Sequence, residues 1–432
     1  MKTICFDLRA LQIGHENRGI GMYIKSVLEN LPADDNKYVF YVFDKSNPVE
    51  KLGIELNNSY EIIETATIKT VLNSPRELPG LIRLINHRFH PLKKIKPDVF
   101  VQFDFTLGAP RWKQTQNIII GYDLIPLIMK NEYLPSLSFT LKHTANTMGK
   151  TQRGILRSLV FRISHRSFAV SRSKIMPKTL IALIRSVYYN QKYRLHYKTY
   201  KRADKIICIS KATSEDFAKI LGIDRRKIYT VPLAAVLSDD KPDFSIAKKI
   251  TKPYVFYIGG TDVRKRIQDI VHAFNIAKGH GADMALVLAG NEFKKLNHLP
   301  SIEGRNAIMS SPYKKDIHLV GFVTDEQKKG LYESAHAFIF TTIYEGFGLP
   351  ILEAMSSSCP VITYNNSSIP EAAGKAALLI ETGDYTAIAR AIIALEDPKL
   401  RKKMISAGLK QSKKFSWKKM SKQLLSIIEG SF

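Results

Sequence analysis

Cysteine is scarce in this chain of 432 residues: Cys5, Cys208 and Cys359 stand apart, each in or beside an apolar stretch. Isolated thiols supply neither a disulfide framework nor a cysteine metal cluster, so core packing is their expected role. No secretory signal opens the sequence, and no uninterrupted apolar run reaches the length of a membrane-spanning helix. A cytoplasmic location is therefore expected. Acidic residues are also short, 39 Asp and Glu against 65 Lys and Arg, for a formal charge of +26. The shortage is local: from Ser136 to Arg202 there are 15 Lys or Arg and no Asp or Glu.

What is present is concentrated at residues 345–355, Glu-Gly-Phe-Gly-Leu-Pro-Ile-Leu-Glu-Ala-Met. The preceding residues 335–341 are apolar and β-prone, and Pro350 suits the first turn of a helix, where its missing N–H costs nothing. Gly346 and Gly348 let a ligand approach the backbone closely. The free N–H groups of Gly348, Leu349 and the first helical turn, aided by the helix dipole, would hold an anion such as a diphosphate. Glu353 lies about a turn and a half into that helix. A carboxylate there suits the vicinal diol of a ribose, because it accepts from two hydroxyls at once. A plainer alternative is a helix start whose glutamates complement the dipole, with Gly and Pro as loop punctuation. It explains each residue singly, but explains less well two carboxylates with seven residues between them that include Gly-Phe-Gly.

The segment resembles the signature of the large retaining GT-B glycosyltransferase family (family 4, group 1) that includes bacterial mannosyl-, glucosyl- and rhamnosyltransferases. Other stretches match it in turn. Residues 3–7 read as a strand, and Arg18-Gly19-Ile20-Gly21-Met22-Tyr23 opens a helix through Leu31, which puts a glycine loop at a strand-to-helix junction. The resemblance sets Gly19 and Gly21 across from the donor diphosphate, with Met22 where a basic residue is frequent. Residues 118–127 resemble the family strand that ends in His-Asp-Leu. Asp123 is kept, but Tyr122 replaces the His that the family holds near the donor sugar, and a phenol with an ordinary pKa of about 10 is a poor base near neutrality.

Residues 253–260 read as a buried strand ending in Gly259-Gly260, and Arg264-Lys265-Arg266 as the start of a helix continuing to Ala277. Cations beside the positive end of a helix are unfavourable unless an anion joins them. Arg264 and Lys265 match the family's Arg-Lys pair, which implies contact with the diphosphate, two-pronged for arginine and as a point charge for lysine. By the same resemblance the turn after the strand at 317–323 reaches the nucleobase through Phe322 and Val323, although Phe322 could equally be core. Residues 368–374 resemble a further family motif and read as a structural loop leading into a strand at 376–380.

Strands alternating with helical stretches imply βαβ units and parallel sheets, and the length implies two domains. The resemblance makes this an α/β protein of the GT-B class, two Rossmann-like doubly wound domains facing across a cleft. The expected bounds are 1–236 for an acceptor-side domain with a basic insertion at about 136–202, and 237–252 for a linker. Residues 253–415 would form the nucleotide-sugar domain, and 416–432 a C-terminal helix crossing back to the first domain. The insertion mixes cations with apolar and aromatic residues, as interfacial helices do. Arg153, Arg157, Arg162, Arg166, Lys174, Lys178 and Arg185 would then meet an anionic membrane surface, at roughly 1 kcal/mol per nearby cation. A helical hairpin packed on the first domain and an oligomer contact are the alternatives. Nucleic acid is not expected as a partner, because no nucleic-acid-binding fold motif accompanies the charge.

The resemblance thus implies retaining, metal-independent and cofactor-free transfer of a hexose, mannose first, from a nucleotide diphosphate sugar. GDP-mannose is the first donor expected, with UDP- and dTDP-sugars as alternatives. The acceptor would be a lipid-linked or surface polysaccharide at the inner face of the cell membrane. The expected catalytic residues are Asp123, Arg264, Lys265 and Glu345. Donor binding would fall to Gly19, Gly21, Gly259, Gly260, Phe322, Val323, Gly346, Phe347, Gly348, Leu349 and Glu353. Another GT-B enzyme of epimerase or phosphorylase type stays open, as does a scaffold that binds nucleotide sugar without turning it over.

Overall fold

The computed structural model describes residues 1–13, 15, 19–43, 60–64, 92, 94–110, 112–133, 193, 196–234, 241–294, 296, 299 and 301–430. The chain forms two compact units, residues 1–123 with 203–432, and residues 124–202. In the smaller unit the described elements include the one-turn helices Ile125–Ile128 and Lys130–Tyr133. The cations expected at a membrane, Arg153 through Arg185, lie outside the described residues. Among those described, no helix is long and apolar enough to cross a membrane.

The larger unit holds two sheets. The first comprises β1 (Thr3–Asp7), β2 (Lys37–Val42), β3 (Tyr60–Glu64), β4 (Val99–Gln102), β5 (Gln116–Gly121), β6 (Lys205–Cys208) and β7 (Ile228–Thr230). Their order is β3-β2-β1-β4-β5-β6-β7, and every pair is parallel. Ile4, Cys5 and Phe6 are fully buried in sequence, as are Ile118 and Ile120, which is what helices on both faces of a parallel sheet demand of its central strands. Helix α1 (Gly19–Glu29) follows β1, and α2 (Lys211–Leu221) follows β6. Ser210 caps α2 by accepting from Thr213 N at 3.0 Å, and Gly222 closes it at φ 64°.

The second sheet comprises β8 (Tyr254–Ile258), β9 (Ala285–Ala289), β10 (Ile317–Gly321), β11 (Ala337–Phe340), β12 (Val361–Tyr364) and β13 (Leu378–Ile380). Its order is β10-β9-β8-β11-β12-β13, again wholly parallel. The helices interleaved with it are α3 (Ile267–Gly279), α4 (Ile302–Ser310), α5 (Asp325–Ser334), α6 (Leu349–Ser356), α7 (Ile369–Ala373) and α8 (Tyr385–Ala394). Helices α9 (Pro398–Ser412) and α10 (Trp417–Glu429) follow. Both sheets are doubly wound, as the α/β GT-B expectation required. The strand order reverses between β1 and β4 in one and between β8 and β11 in the other, and ligands of such sheets bind outside the carboxyl ends of the strands at those reversals.

Helix α10 returns to the first sheet. The Trp417 ring meets Tyr23 of α1 edge-on at 6.2 Å, Ser421 Oγ donates to Val27 O at 3.5 Å, and Lys2 Nζ donates to Glu429 O at 2.7 Å. The three cysteines are free and buried, so their place is the core.

Two local expectations are corrected. Arg264-Lys265-Arg266 does not begin a helix: Val263–Lys265 is a single 3-10 turn and α3 starts at Ile267. Asp262 Oδ1 caps the short turn by accepting from Arg264 N at 3.1 Å. Arg266 sits between the two elements in the left-handed region, φ 51° and ψ 48°, with its guanidinium donating to Asp269 at 2.9 and 3.1 Å. Residues 368–374, read as a loop, contain α7, with Pro370 in its first turn and Gly374 ending it at φ 54°.

Candidate functional site

The reversal point of the second sheet is built from the segments that leave β8 and β11. Tyr257 OH donates to Gly260 O at 2.6 Å, which folds the Gly259-Gly260 turn back on its own strand. The turn after β9 closes against it so tightly that a Cβ on Gly290 would stand 2.2 Å from Gly259 O. The 3-10 turn that follows is tied to the end of β11, where Thr341 Oγ1 donates to Lys265 O at 2.8 Å and Ile343 N donates to Arg264 O at 2.9 Å. The backbone thereby sets Arg264 and Lys265 beside the loop that carries Glu345.

Both cations converge on one atom. Arg264 Nη1 and Lys265 Nζ each bond Glu345 Oε1, and Thr342 Oγ1 donates to the same oxygen at 2.9 Å. The three ionised side chains are largely withdrawn from water, 17, 11 and 14% exposed respectively. Lys265 Nζ also lies 4.7 Å over the Phe340 ring, an attraction that strengthens where water is excluded. The Glu345 backbone is fixed on both sides: its N–H donates to Ser367 Oγ at 3.0 Å, and its carbonyl accepts from Ser368 Oγ at 2.9 Å.

Burial by itself would push the Glu345 carboxyl up, but the charges of Lys265 and Arg264 outweigh it and hold the group below the ordinary glutamate range. Burial pushes the Lys265 ammonium down, with Glu345 opposing. Two cations thus share a single carboxylate oxygen, and Glu345 Oε2 makes no hydrogen bond among the described residues. Asp262 stands 3.8 Å from Arg264 Nε on the more exposed rim. An anionic group entering here would meet two desolvated cations.

The loop beyond Glu345 does two jobs. A Cβ on Gly346 would stand 2.3 Å from the Tyr122 carbonyl oxygen, so this glycine is required by the approach of the chain leaving β5. Thr213 Oγ1 of α2 donates to Gly346 O at 3.2 Å, and Tyr344 OH donates to Asp216 of the same helix. Gly348, at φ 98°, turns the backbone into α6. Phe347 was expected at the donor; its ring is 3% exposed and packs edge-on against Phe415 at 5.6 Å, so it anchors the loop in the core. Leu349 begins α6 and is partly buried.

Glu353 is 6% exposed, with Oε1 accepting from Lys328 Nζ and Oε2 from Tyr332 OH, both at 3.2 Å. Burial pushes its carboxyl up, and Lys328 opposes. Phe322 projects at 61% exposure just past β10, which removes the core alternative, whereas Val323 is buried. Gly19 is the exposed first residue of α1 and Gly21 lies buried within it. Asp123 follows β5, partly exposed, and its charge is among those that push the Tyr344 phenol up after burial. Arg264, Lys265 and Glu345 are therefore joined directly, while no hydrogen bond among the described residues links Gly19, Gly21, Phe322 or Val323 to them.

Several participants are ordinary residues in the sequence. Thr342, Ser367 and Ser368 orient Glu345; Lys328 and Tyr332 hold Glu353; Glu292 Oε2 accepts from both the N–H and the hydroxyl of Thr261 beside the Gly259-Gly260 turn. The polar run Asn365-Asn366-Ser367-Ser368 was the one available signal for the serines.

Residues 238–411 match the family described as glycosyl transferases group 1. The chain is 29% identical over 258 residues to O-antigen chain mannosyltransferase B of Escherichia coli, a match covering 56% of this chain and 66% of that protein. It is 23% identical over 347 residues to the serotype-specific mannosyltransferase WbdA of Escherichia coli, covering 76% of this chain and 36% of the other. The matched stretches span less than two thirds of either relative. Among solved structures, sucrose-phosphate synthase from Thermosynechococcus elongatus superposes with a TM-score of 0.65 at 15% identity, covering 100% of this chain and 99% of that one, a likeness of fold.

Proposed function

We propose that the chain, whose residues 238–411 match the glycosyl transferases group 1 family, moves a hexose from a nucleotide diphosphate sugar to a glycan or lipid-linked acceptor. Mannose from GDP-mannose is the first choice, in keeping with the mannosyltransferase names of its relatives. The observation that carries the reading is the convergence of Arg264 and Lys265 on Glu345 Oε1 at the carboxyl end of β8 and β11.

In this reading the leaving diphosphate takes the place that the two cations have available, and their charge stabilises it as the sugar–phosphate bond breaks, the term that usually dominates such catalysis. Glu345 Oε2 accepts from donor-sugar hydroxyls and orients C1, with Asp123 on the opposite side. The N–H groups of Gly348 and Leu349 meet a phosphate oxygen at the start of α6. Glu353 accepts from the ribose diol, Phe322 covers the base, and the glycine turns at Gly19, Gly21, Gly259 and Gly260 give the donor room. Attack by the acceptor on the same face, with the departing phosphate taking its proton, retains the anomeric configuration. Arg264 and Lys265 supply the positive charge, so no metal is invoked.

We also propose that the protein works peripherally at the inner face of the membrane, on the strength of the acid-free basic stretch at 136–202. Deleting residues 150–195 should then reduce binding to anionic liposomes, and unchanged binding would remove the membrane from the proposal.

The decisive assay follows nucleoside diphosphate release from GDP-mannose and from a panel of UDP- and dTDP-sugars, with an acceptor extract, with and without chelator, followed by NMR of the product anomer. Release that survives the chelator and gives a retained anomer is the expected result. Nucleotide binding without release from any donor would favour a scaffold instead, the reading that the replacement of the family His by Tyr122 supports. Absence of both binding and release would end the proposal.

A further inference from the structure

A left-handed backbone is costly for any residue with a Cβ, because the side chain crowds the following carbonyl, and it persists only where the surroundings hold it. Among the described residues four that are not glycine adopt a positive φ, and two of them, Arg266 and Ser367, border the Arg264–Lys265–Glu345 cluster. Ser367, at φ 45°, receives the Glu345 N–H on its Oγ. Arg266, at φ 51°, directly follows Lys265. The strain at Arg266 has a restraint of its own, outside the atoms that would touch a donor.

That restraint is the Asp269 carboxylate, buried to within 1% in the first turn of α3. Its Oδ2 accepts from Arg266 Nε at 2.9 Å and from the hydroxyl of Tyr364, the last residue of β12, at 2.5 Å; its Oδ1 accepts from Arg266 Nη2 at 3.1 Å. The guanidinium is thus gripped by a two-pronged contact, and the acid is braced by a tyrosine that is itself fully buried. The backbone beside the pair is equally fixed. Arg266 O accepts from Asp269 N at 2.9 Å and from Thr341 Oγ1 at 3.3 Å, and Lys265 O accepts from the same hydroxyl at 2.8 Å. Were residue 266 to relax to a right-handed or extended conformation, the peptide between 265 and 266 would turn. The Lys265 carbonyl would then leave Thr341, and the ammonium would swing away from Glu345 Oε1 and the Phe340 ring.

We infer that Asp269 is a positioning residue for the transfer: braced by Tyr364, it clamps the Arg266 guanidinium, keeps that residue left-handed, and so aims the Lys265 ammonium at the place of the leaving diphosphate. The inference rests on the glycosyl-transfer reading above and gives its cation an aligning device. Neither Asp269 nor Arg266 touches the donor on this account; both act through Lys265. A glycine in place of Arg266 would reach the same backbone with no clamp at all, whereas an alanine would have neither the clamp nor the freedom.

The test compares the full-length wild type with Arg266→Ala, Arg266→Gly, Asp269→Ala and the double variant Asp269→Ala/Arg266→Gly. Each is measured by nucleotide release from the donor panel with acceptor extract, and by calorimetric titration with GDP and with UDP. Arg266→Ala and Asp269→Ala should lose about a hundredfold in turnover, the cost of misplacing a catalytic group by about 1 Å, and bind the nucleotide about tenfold more weakly. Arg266→Gly removes the same guanidinium, yet it should stay within about threefold of wild type by both measures, and adding it to Asp269→Ala should restore that variant to a similar extent. Unchanged turnover and affinity in Arg266→Ala would overturn the inference. So would equal losses in Arg266→Ala and Arg266→Gly, which would mean that the guanidinium itself meets the ligand. If Asp269→Ala does not fold, the two variants at the partly exposed Arg266 still decide. A wild type that binds a nucleotide but releases none from any donor would sink the transfer reading, and the affinities of the two Arg266 variants would then judge the clamp on their own. Binding of neither nucleotide by the wild type would sink both.

Discussion

Gly346 and Tyr122 meet so closely that a Cβ on the glycine would overlap the tyrosine's carbonyl oxygen at 2.3 Å. The contact joins the chain leaving β5 of one sheet to the loop leaving β11 of the other. Since the intruded atom is backbone, no side-chain rotation relieves it. Gly346→Ala should therefore destabilise the protein by about 1 to 3 kcal/mol, the usual range for overpacking, and shift Glu345 with the loop. Urea denaturation measures the first effect, and nucleotide affinity the second. An unchanged midpoint would show that the two segments part without penalty.

Arg264 and Thr342 keep the Glu345 carboxylate partnered when Lys265 is gone. Lys265→Ala should thus fold, with circular dichroism and melting near wild type, while turnover falls about a hundredfold or more, the scale for losing one charge-stabilising donor. Unchanged turnover would take Lys265 out of the site.

The two glutamates of the motif should respond to pH with opposite signs. Glu345 is held below its ordinary value, so the unfolded chain binds more protons in that window; its contribution is present above about 4.3 and fades as pH falls through the folded value. Glu353 is pushed up by burial, so the folded chain binds more protons. Its contribution is present below about 4.3 and is lost as pH rises through the folded value. Melting curves of Glu345→Gln and Glu353→Gln against wild type, taken from acid to neutral pH, should diverge in opposite directions. Parallel curves would contradict the assigned environments.

Glu371 ties α7 to the first sheet: its two carboxylate oxygens accept from Lys211 N and Ala212 N at the start of α2, each at 2.7 Å. A carboxylate at a helix N-terminus satisfies orphan donors and complements the dipole. At this partly exposed position Glu371→Ala should lower stability by about 1 kcal/mol, read from the urea midpoint, with Glu371→Gln losing less. No change would mean that water replaces the carboxylate without loss.

The sheets were legible because buried parallel strands have to be apolar on both faces, and stretches such as Tyr254–Ile258 and Ala285–Ala289 leave little else for the chain to do. Gly348 was legible because a turn into a helix makes a backbone demand that few residues meet, whereas the pairing of Arg264 and Lys265 with Glu345 was not, since the sequence reads those cations as partners of a diphosphate. The helix at Ile369–Ala373 was not, since its five residues are too few to show a period. Nor was the turn at Arg266, because the left-handed backbone there is held by Asp269, and an arginine gives no glycine-like warning. Ser367 and Lys328 become partners of the glutamates only once segments 22 and 25 residues away are laid beside them, whereas Thr342 sits three residues before Glu345 and gave no signal because a threonine there is ordinary. Phe347 and Gly346 were assigned to a ligand because nothing in the sequence reveals that Phe415 and Tyr122 already occupy the space around them.

The return of α10 to α1 bears on how the polypeptide is made. Val27 and Tyr23 near the beginning are covered by Ser421 and Trp417, and the Lys205 ammonium ends on the carbonyl of Ile427. A ribosome delivers Val27 and Ser421 394 residues apart, and Lys205 and Ile427 222 residues apart. The second sheet can complete its strands as soon as residue 380 has emerged, whereas the first must wait, with one helix face uncovered, for residues 417–429. Maturation of the earlier half is therefore gated by translation of the later one.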